Sequence, residues 1–207
     1  SYTGDGSSYL YFSSFQLEQG TVATDYIATT TVAVSEGPVA NMPRLNSVAG
    51  GCPSLLLEPQ RTNLLVQSEY FLSSQWVWAA TTATITASPN PSPDGYANCY
   101  YVENVTGSQL GAVGPAVVGT TYTGSIYVRN ISGSGSIDLR DINNASNLYT
   151  ATSEWQRITA TGVANSVNGR VYLNVLGVGS KVEVYGAQLE AGSYATSYIP
   201  TYGTAAT

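Results

Sequence analysis

From Tyr122 to Arg129 the side chains change character at every step: Tyr122, Gly124, Ile126 and Val128 alternate with Thr123, Ser125, Tyr127 and Arg129. A period of two belongs to extended backbone, in which successive Cβ atoms point to opposite faces. The same beat sets Ile137 and Leu139 against Asp138 and Arg140, and Val171, Leu173 and Val175 against Tyr172 and Asn174. Thr81 to Ala87, Ala97 to Val105, Ser136 to Ile142, Trp155 to Gly162, Arg170 to Leu176 and Lys181 to Tyr185 are further strand candidates, bounded by Gly, Asn or Ser clusters. Tyrosine, threonine and serine favour strands joined by tight turns, and the 16 tyrosines far outnumber the three phenylalanines. The expected fold is all-β, an antiparallel β-sandwich of jelly-roll type built from short strands, with little helix.

Charge narrows the partners. Seven basic against 13 acidic residues leave a net charge of −6, and the basic residues stand singly, without the stripe that neutralises phosphates. Nucleic acid is therefore not an expected partner. No apolar run approaches the roughly 20 residues that cross a bilayer, so membrane insertion is not expected either.

A second feature speaks to organisation. The stretch Gln16 to Thr29 returns as Gln188 to Thr201, with Gln, Leu, Glu, Gly, Ala, Thr, Tyr, Ile and Thr kept in place. A repeat at that separation is too long for a solenoid element and suits a whole domain. Residues 1–28 are accordingly read as the tail end of a preceding module and 29–54 as an extended linker or arm rich in Pro and Gly. Residues 55–201 are read as the sandwich itself and 202–207 as a C-terminal tail. The apolar runs at Leu55 to Leu57 and Leu64 to Val66 open the ordered module, and Gly133-Ser134-Gly135 reads as a hairpin turn.

Taken in order, several motifs resemble modules of phage tail fibres and head spikes. They are Leu55-Leu56-Leu57-Glu58-Pro59-Gln60-Arg61-Thr62-Asn63-Leu64-Leu65, Ser92-Pro93-Asp94-Gly95, Tyr122 to Arg129, Trp155-Gln156-Arg157, and Tyr185-Gly186-Ala187-Gln188-Leu189-Glu190 followed by Ala195-Thr196-Ser197-Tyr198-Ile199. The resemblance implies a sandwich similar to family 4/9-type carbohydrate-binding modules, on a virion appendage exposed outside the cell. It also implies glycan or polysaccharide as partner, neighbouring virion modules, and assembly as a homotrimer. Two other readings stand beside glycan recognition: a purely structural spacer or oligomerisation domain of the virion, and an accessory carbohydrate-binding module of a polysaccharide-degrading enzyme.

A sugar-binding face needs flat aromatic rings flanked by planar polar groups. If the alternating strands lie in one sheet, Tyr127, Arg129, Asp138, Arg140, Tyr172 and Asn174 converge on one outward surface, which is the predicted ligand site. The bland alternative is that the two tyrosines cover the sheet while Arg129, Asp138 and Arg140 form cross-strand ion pairs worth under about 1 kcal/mol each. Trp76 and Trp78, two apart on one strand side, are second-rank stacking candidates, and Trp155 is expected to fill the core. Catalysis is not expected: there is no histidine, and Asp138 and Asp141 are spaced to opposite faces. The resemblance also implies a structural Ca²⁺, for which Glu69 and Glu190 with backbone carbonyls are the candidate ligands. Cys52 and Cys99 sit in dissimilar contexts and are read as free thiols, with one disulfide as the alternative.

Overall fold

Short β-branched and aromatic runs form eleven strands among the described residues, and no α-helix occurs there. The computed structural model describes Phe15 and residues 44–46, 54–56, 58–76, 83–106 and 108–207. The residues from Arg44 onward belong to one unit, Arg44–Thr207, and the preceding unit, Ser1–Pro43, contributes Phe15 alone. β1 (Arg44–Asn46) and β2 (Ser54–Leu56) pair as an antiparallel ribbon, which places a strand inside the stretch expected to be an arm. β3 (Thr84–Ala87), β4 (Tyr100–Glu103), β6 (Thr121–Ser132), β9 (Gln156–Val163) and β11 (Lys181–Ala191) make a five-stranded sheet in the order β3-β4-β11-β6-β9. β5 (Gln109–Pro115), β7 (Ser136–Arg140), β8 (Ser146–Thr150) and β10 (Asn168–Val175) make a four-stranded sheet in the order β5-β10-β7-β8. All pairings are antiparallel. The expected antiparallel sandwich is what the chain forms.

The alternation sorts the core as predicted. Ile126 and Val128 of β6 meet Ile137 and Leu139 of β7, Val171, Leu173 and Val175 of β10, and Val182, Val184 and Leu189 of β11 in one buried cluster. Phe71 and Trp76 join that cluster with their rings 4.6 Å apart. Trp76 ends a single 3₁₀ turn, Ser74–Trp76, rather than lying on a strand, and it is 1% exposed. It is a core residue, which corrects its reading as a stacking platform; Trp78 lies outside the described residues.

Two more expectations give way. Gly133 to Gly135 is not a hairpin turn, because the strands it joins, β6 and β7, belong to different sheets. It is an arch between layers, with Gly133 at φ 83° against Ser180 and Gly135 at φ 66°. Trp155 is only half-buried; its ring lies under the Arg129 guanidinium at 4.8 Å and its Nε1 donates to Pro91 O at 3.2 Å, so it packs outside the core. Cys99 is a free, buried thiol, while Cys52 falls outside the described residues.

One residue ties the flanking segments to the five-stranded sheet. Asn63 is fully buried. Its Nδ2 donates to Ala187 O at 3.1 Å and Ile199 O at 2.8 Å, and its Oδ1 accepts from the backbone N–H of Leu65 at 3.2 Å and Leu189 at 3.1 Å. Every donor and acceptor of that amide is thus spent on buried backbone, where an unpaired group costs about 1–3 kcal/mol. Asn63→Ala strands four such groups at once. The expected loss is about 3 kcal/mol or more, read as a lower denaturant midpoint in chemical unfolding with the m-value unchanged.

Candidate functional site

The predicted ligand residues do not converge. Tyr127 and Arg129 lie on β6 in the five-stranded sheet, whereas Asp138 and Arg140 on β7 and Tyr172 and Asn174 on β10 lie in the four-stranded sheet. The condition for one surface, that these strands share a sheet, fails because β6 pairs with β9 and β11 while β7 pairs with β8 and β10.

On the four-stranded sheet, Asp138 accepts from Arg140 Nε at 2.8 Å, Ser146 Oγ at 2.7 Å and the Asn147 N–H at 3.1 Å, with Asn174 Nδ2 at 3.4 Å. Burial pushes the Asp138 carboxyl up, but these donors and the Arg140 charge outweigh it and hold it below the usual range. Tyr172 lies flat over Gly111, where a Cβ would stand 2.2 Å from the ring, and is only 3% exposed. Asp141 serves its own turn, accepting from Asn143 N and Ala145 N, and shares no partner with Asp138. The expected ion pair of Asp138 and Arg140 exists, within one strand rather than across two.

The outer face of the five-stranded sheet carries a layer of buried polar groups. Arg129 pairs with the fully buried Glu183, which also accepts from Ser88 and from Asn90 Nδ2 at 2.7 Å. Burial pushes the Glu183 carboxyl up, but Arg129, Ser88 and Asn90 outweigh it and keep it below its ordinary value. Arg157 stacks over the Tyr127 ring at 5.4 Å and donates to Ser125 Oγ at 2.9 Å. Glu190 accepts from Gln188 Nε2 at 2.6 Å and from Thr196 N at 2.9 Å and Oγ1 at 2.6 Å. Tyr127 is itself packed by Tyr185 and Tyr198, with centroids 5.9 and 6.2 Å away. These side chains hold the chain termini of the module in place and leave little to offer a ligand.

The group that does reach solvent was not anticipated as a unit. Glu69, from the segment before the 3₁₀ turn, and Asp94, from the β3–β4 loop, are bridged by the Asn98 amide, whose Nδ2 donates to Glu69 Oε2 at 3.3 Å and Asp94 Oδ2 at 2.9 Å. Tyr198 and Tyr202 donate to Glu69 Oε1 at 3.1 and 3.2 Å, and Tyr185 donates to Asp94 Oδ2 at 2.9 Å. Asp94 closes its own loop by accepting from Ser92 Oγ and, at 3.0 Å, from Tyr96 N. Neither carboxylate has an ion-pair partner among the described residues. Exposed tyrosines adjoin them: Tyr202, whose hydroxyl donates to Glu69, is 59% exposed, and Tyr96, whose N–H donates to Asp94, is also exposed, whereas the exposed Tyr70 packs on Tyr100 with centroids 6.3 Å apart. Flat apolar rings beside uncompensated hydrogen-bonding carboxylates suit a neutral polyhydroxylated ligand.

The electrostatics of the pair diverge. Burial raises Glu69, helped by the Asp94 charge and opposed by the tyrosine hydroxyls. Asp94 is also pushed up by burial, but its bonds from Ser92, Tyr96, Asn98 and Tyr185 win and lower it. Burial and the Glu69 charge raise the phenols of Tyr185 and Tyr198 well above the ordinary value and push Tyr202 up to about 12, so all three remain donors. A split pair of carboxylates can serve acid and base chemistry. Here both accept from donors of the protein itself, Glu69 from Tyr198, Tyr202 and Asn98, and Asp94 from Ser92, Tyr96, Asn98 and Tyr185. Glu69 and Glu190, the expected calcium ligands, share no hydrogen-bond partner, and no cluster of three or more metal-ligating side chains occurs among the described residues.

No protein-family model matches the chain, and no curated protein matches it. Its fold is similar to several solved structures. A structure described as CBM4 covers 56% of this chain and 82% of its own, at 15% identity and a TM-score of 0.41. The CBM22-1 xylan-binding domain from Paenibacillus barcinonensis Xyn10C covers 65% of this chain and 94% of its own, at 12% identity and a TM-score of 0.42. The enzymatically active domain of tailspike protein 4 of bacteriophage CBA120 covers 62% of this chain and 21% of its own, at 9% identity and a TM-score of 0.45. Overlaps this loose say nothing of what this chain binds.

The Glu69 environment sets a pH dependence. A carboxyl raised on folding favours the native state fully below its unfolded value, 4.5, and withdraws that stability as pH climbs through the folded value. Asp94 and Asp138, lowered from 3.8, act the other way and cost stability as pH falls below that point. In a urea series from about pH 3 to about pH 8, Glu69→Gln is expected to flatten the decline on the alkaline side of 4.5 and to leave the acid limb in place. An unchanged slope above 4.5 refutes this account of Glu69.

Proposed function

We propose that this chain is a non-catalytic glycan-binding β-sandwich module of a phage virion appendage, a tail fibre or spike. The observation that carries the binding reading is the solvent-facing cluster in which the exposed Tyr202 adjoins Glu69, Asp94 and Asn98. The Tyr202 ring supplies a stacking face, the Asn98-bridged carboxylates fix the hydroxyls of Tyr185, Tyr198 and Tyr202, and two carboxylates without an ion-pair partner among the described residues favour a neutral glycan over an anionic one. The virion setting rests on the sequence resemblance, in particular on the motifs around Arg61 to Leu65 and Gln188 to Ile199. A homotrimer and neighbouring virion modules belong to the same proposal.

A spacer reading has one observation of its own. Gln188, Glu190 and Glu183 on the outer face spend their polar atoms internally, as a purely structural module requires.

A glycan array, followed by calorimetry on any hit, separates the two. Tyr202→Ala is expected to weaken the hit about tenfold, the equivalent of ~1.4 kcal/mol. Tyr127→Ala and Tyr172→Ala, which remove internal packing, are expected to lower thermal stability while leaving affinity within about twofold at temperatures where the variants stay folded. Silence on a broad array from folded protein favours the spacer.

A further inference from the structure

A second cleft lies away from the Glu69 cluster, between the Arg61 segment and the β5–β6 turn. Its volume is about 390 Å³, with Leu64, Pro115 and Val117 as apolar walls, Tyr122 within and Gln60 at the mouth. Arg61 is the one cation among its lining residues. The Arg61 side chain is 24% exposed and its Nε is buried without a hydrogen-bond partner. Among the described residues its guanidinium makes no hydrogen bond: it packs on Gly192, lies over the Tyr194 ring at 5.7 Å and stands 3.8 Å from Glu190. Gly192 stands at φ 144°, a conformation that L side chains rarely adopt, and the Arg61 guanidinium fills the space beside it, with Nη2 2.6 Å from where a Cβ would lie. Glu190 does not consume the guanidinium, because Gln188 and Thr196 already donate to its oxygens.

Tyr122 supplies a second unspent donor. It is 96% buried by its 4% exposure, and its hydroxyl accepts from Val117 N at 2.9 Å, while its own hydrogen has no acceptor among the described residues. Arg61 and Tyr122 thus both line the cleft and carry donor hydrogens that no acceptor among the described residues takes. Burying such donors costs free energy unless an acceptor arrives. A guanidinium fork matches a carboxylate in plane and spacing. Because Glu190 partly offsets the single cation, a monoanion fits and a dianion does not. The cleft volume lies in the range that holds one small ligand body.

We propose that this cleft is a second ligand site, which takes a carboxylate-bearing sugar with its carboxylate on Arg61 and its ring on Leu64, Pro115 and Val117. The inference rests on the glycan reading for the sugar, but on a separate cleft for the site.

The test follows the Arg61 Nε–H resonance of ¹⁵N-labelled protein during titration with methyl glucuronide, methyl glucoside and acetyl-dialanine, the last presenting a peptide C-terminus. Methyl glucuronide should shift the Arg61 and Val117 signals saturably and bind at least about tenfold tighter than methyl glucoside. Arg61→Gln should weaken it by about tenfold or more, read on the Val117 amide, and Arg61→Lys, which keeps the charge without the fork, should restore less than half of that loss. Tyr122→Phe should weaken it several-fold, and Tyr202→Ala should leave it unchanged. Equal binding of glucuronide and glucoside, or indifference to both Arg61 substitutions, overturns the site. Tighter binding of acetyl-dialanine overturns the sugar assignment in favour of a peptide carboxylate. If the neutral-glycan reading at Glu69 fails instead, the Tyr202 substitution is silent on the array while the Arg61 signals still respond.

Discussion

A sandwich sheet can keep its outer face in water or cover it, and covering it with chain raises the problem of buried polar groups. Here the cover is the flanking segments around Asn63 and Thr196 together with the β3–β4 loop, whose Ser88 and Asn90 donate to Glu183, and the face beneath is built from Thr123, Ser125, Glu183, Gln188 and Glu190, all fully buried. That layer is stable because most of its buried polar atoms find partners. Asn63 spends all four of its hydrogen-bonding sites on backbone, Gln188 accepts from the Ile199 N–H at 2.8 Å while donating to Glu190, and Thr201 donates to Leu65 O at 2.7 Å. A half-satisfied version of such a network would be worse than an apolar face. The fold therefore depends on matching, residue for residue, between two distant segments of sequence.

This dependence explains what could and could not be read from the sequence. The inward stripe Ile126, Val128, Ile137, Leu139, Val171, Leu173 and Val175 was legible, because period-two alternation reports a local property of extended backbone. Sheet membership was not. Gly133 to Gly135 has the composition of a tight hairpin, and only the tertiary contact of Gly133 with Ser180 distinguishes an arch that changes layers. Assigning β6 and β7 to one sheet was enough to merge two unrelated surfaces into one predicted site. β5 and β8 were missed for a simpler reason. Gly111 and Gly114 interrupt the first, and Leu148, exposed on the solvent side of the second, inverts the expected pattern.

The candidate site was illegible for a related reason. Its members come from residues 69, 94, 98, 185, 198 and 202, and no local spacing links them. The sequence did hold a signal in the Asp94-Gly95 turn and in the Tyr185 and Tyr198 motifs, but each is weak alone. What joins them is that Glu69 and Asp94 project from two loops at the same margin of the five-stranded sheet, while Tyr185 stands on its central strand. Trp76 illustrates the converse. A large aromatic beside polar residues resembled a binding platform, yet the free energy of burying its ring against Phe71 decides its place.

The bulge in β11 shows how local strain serves that assembly. Tyr185 faces Tyr127 and Gln188 faces Ser125, so three residues of β11 span two of β6. Without the bulge, strict alternation through the same residues would turn Leu189 outward and Gln188 into the core. Gly186 absorbs the irregularity at φ 57°, a left-handed conformation that L side chains resist, and a Cβ there would stand 3.2 Å from the Tyr198 ring. The bulge thus resets the parity of the strand, keeping Val182, Val184, Ala187 and Leu189 in the core and Glu183, Tyr185, Gln188 and Glu190 on the outer face. The predicted strand stopped at Tyr185 because the alternation breaks there. The same break lets one strand serve the Arg129 pair, the Glu69 cluster and the anchoring of the C-terminal segment at once, since all three need outward polar side chains on both sides of residue 186.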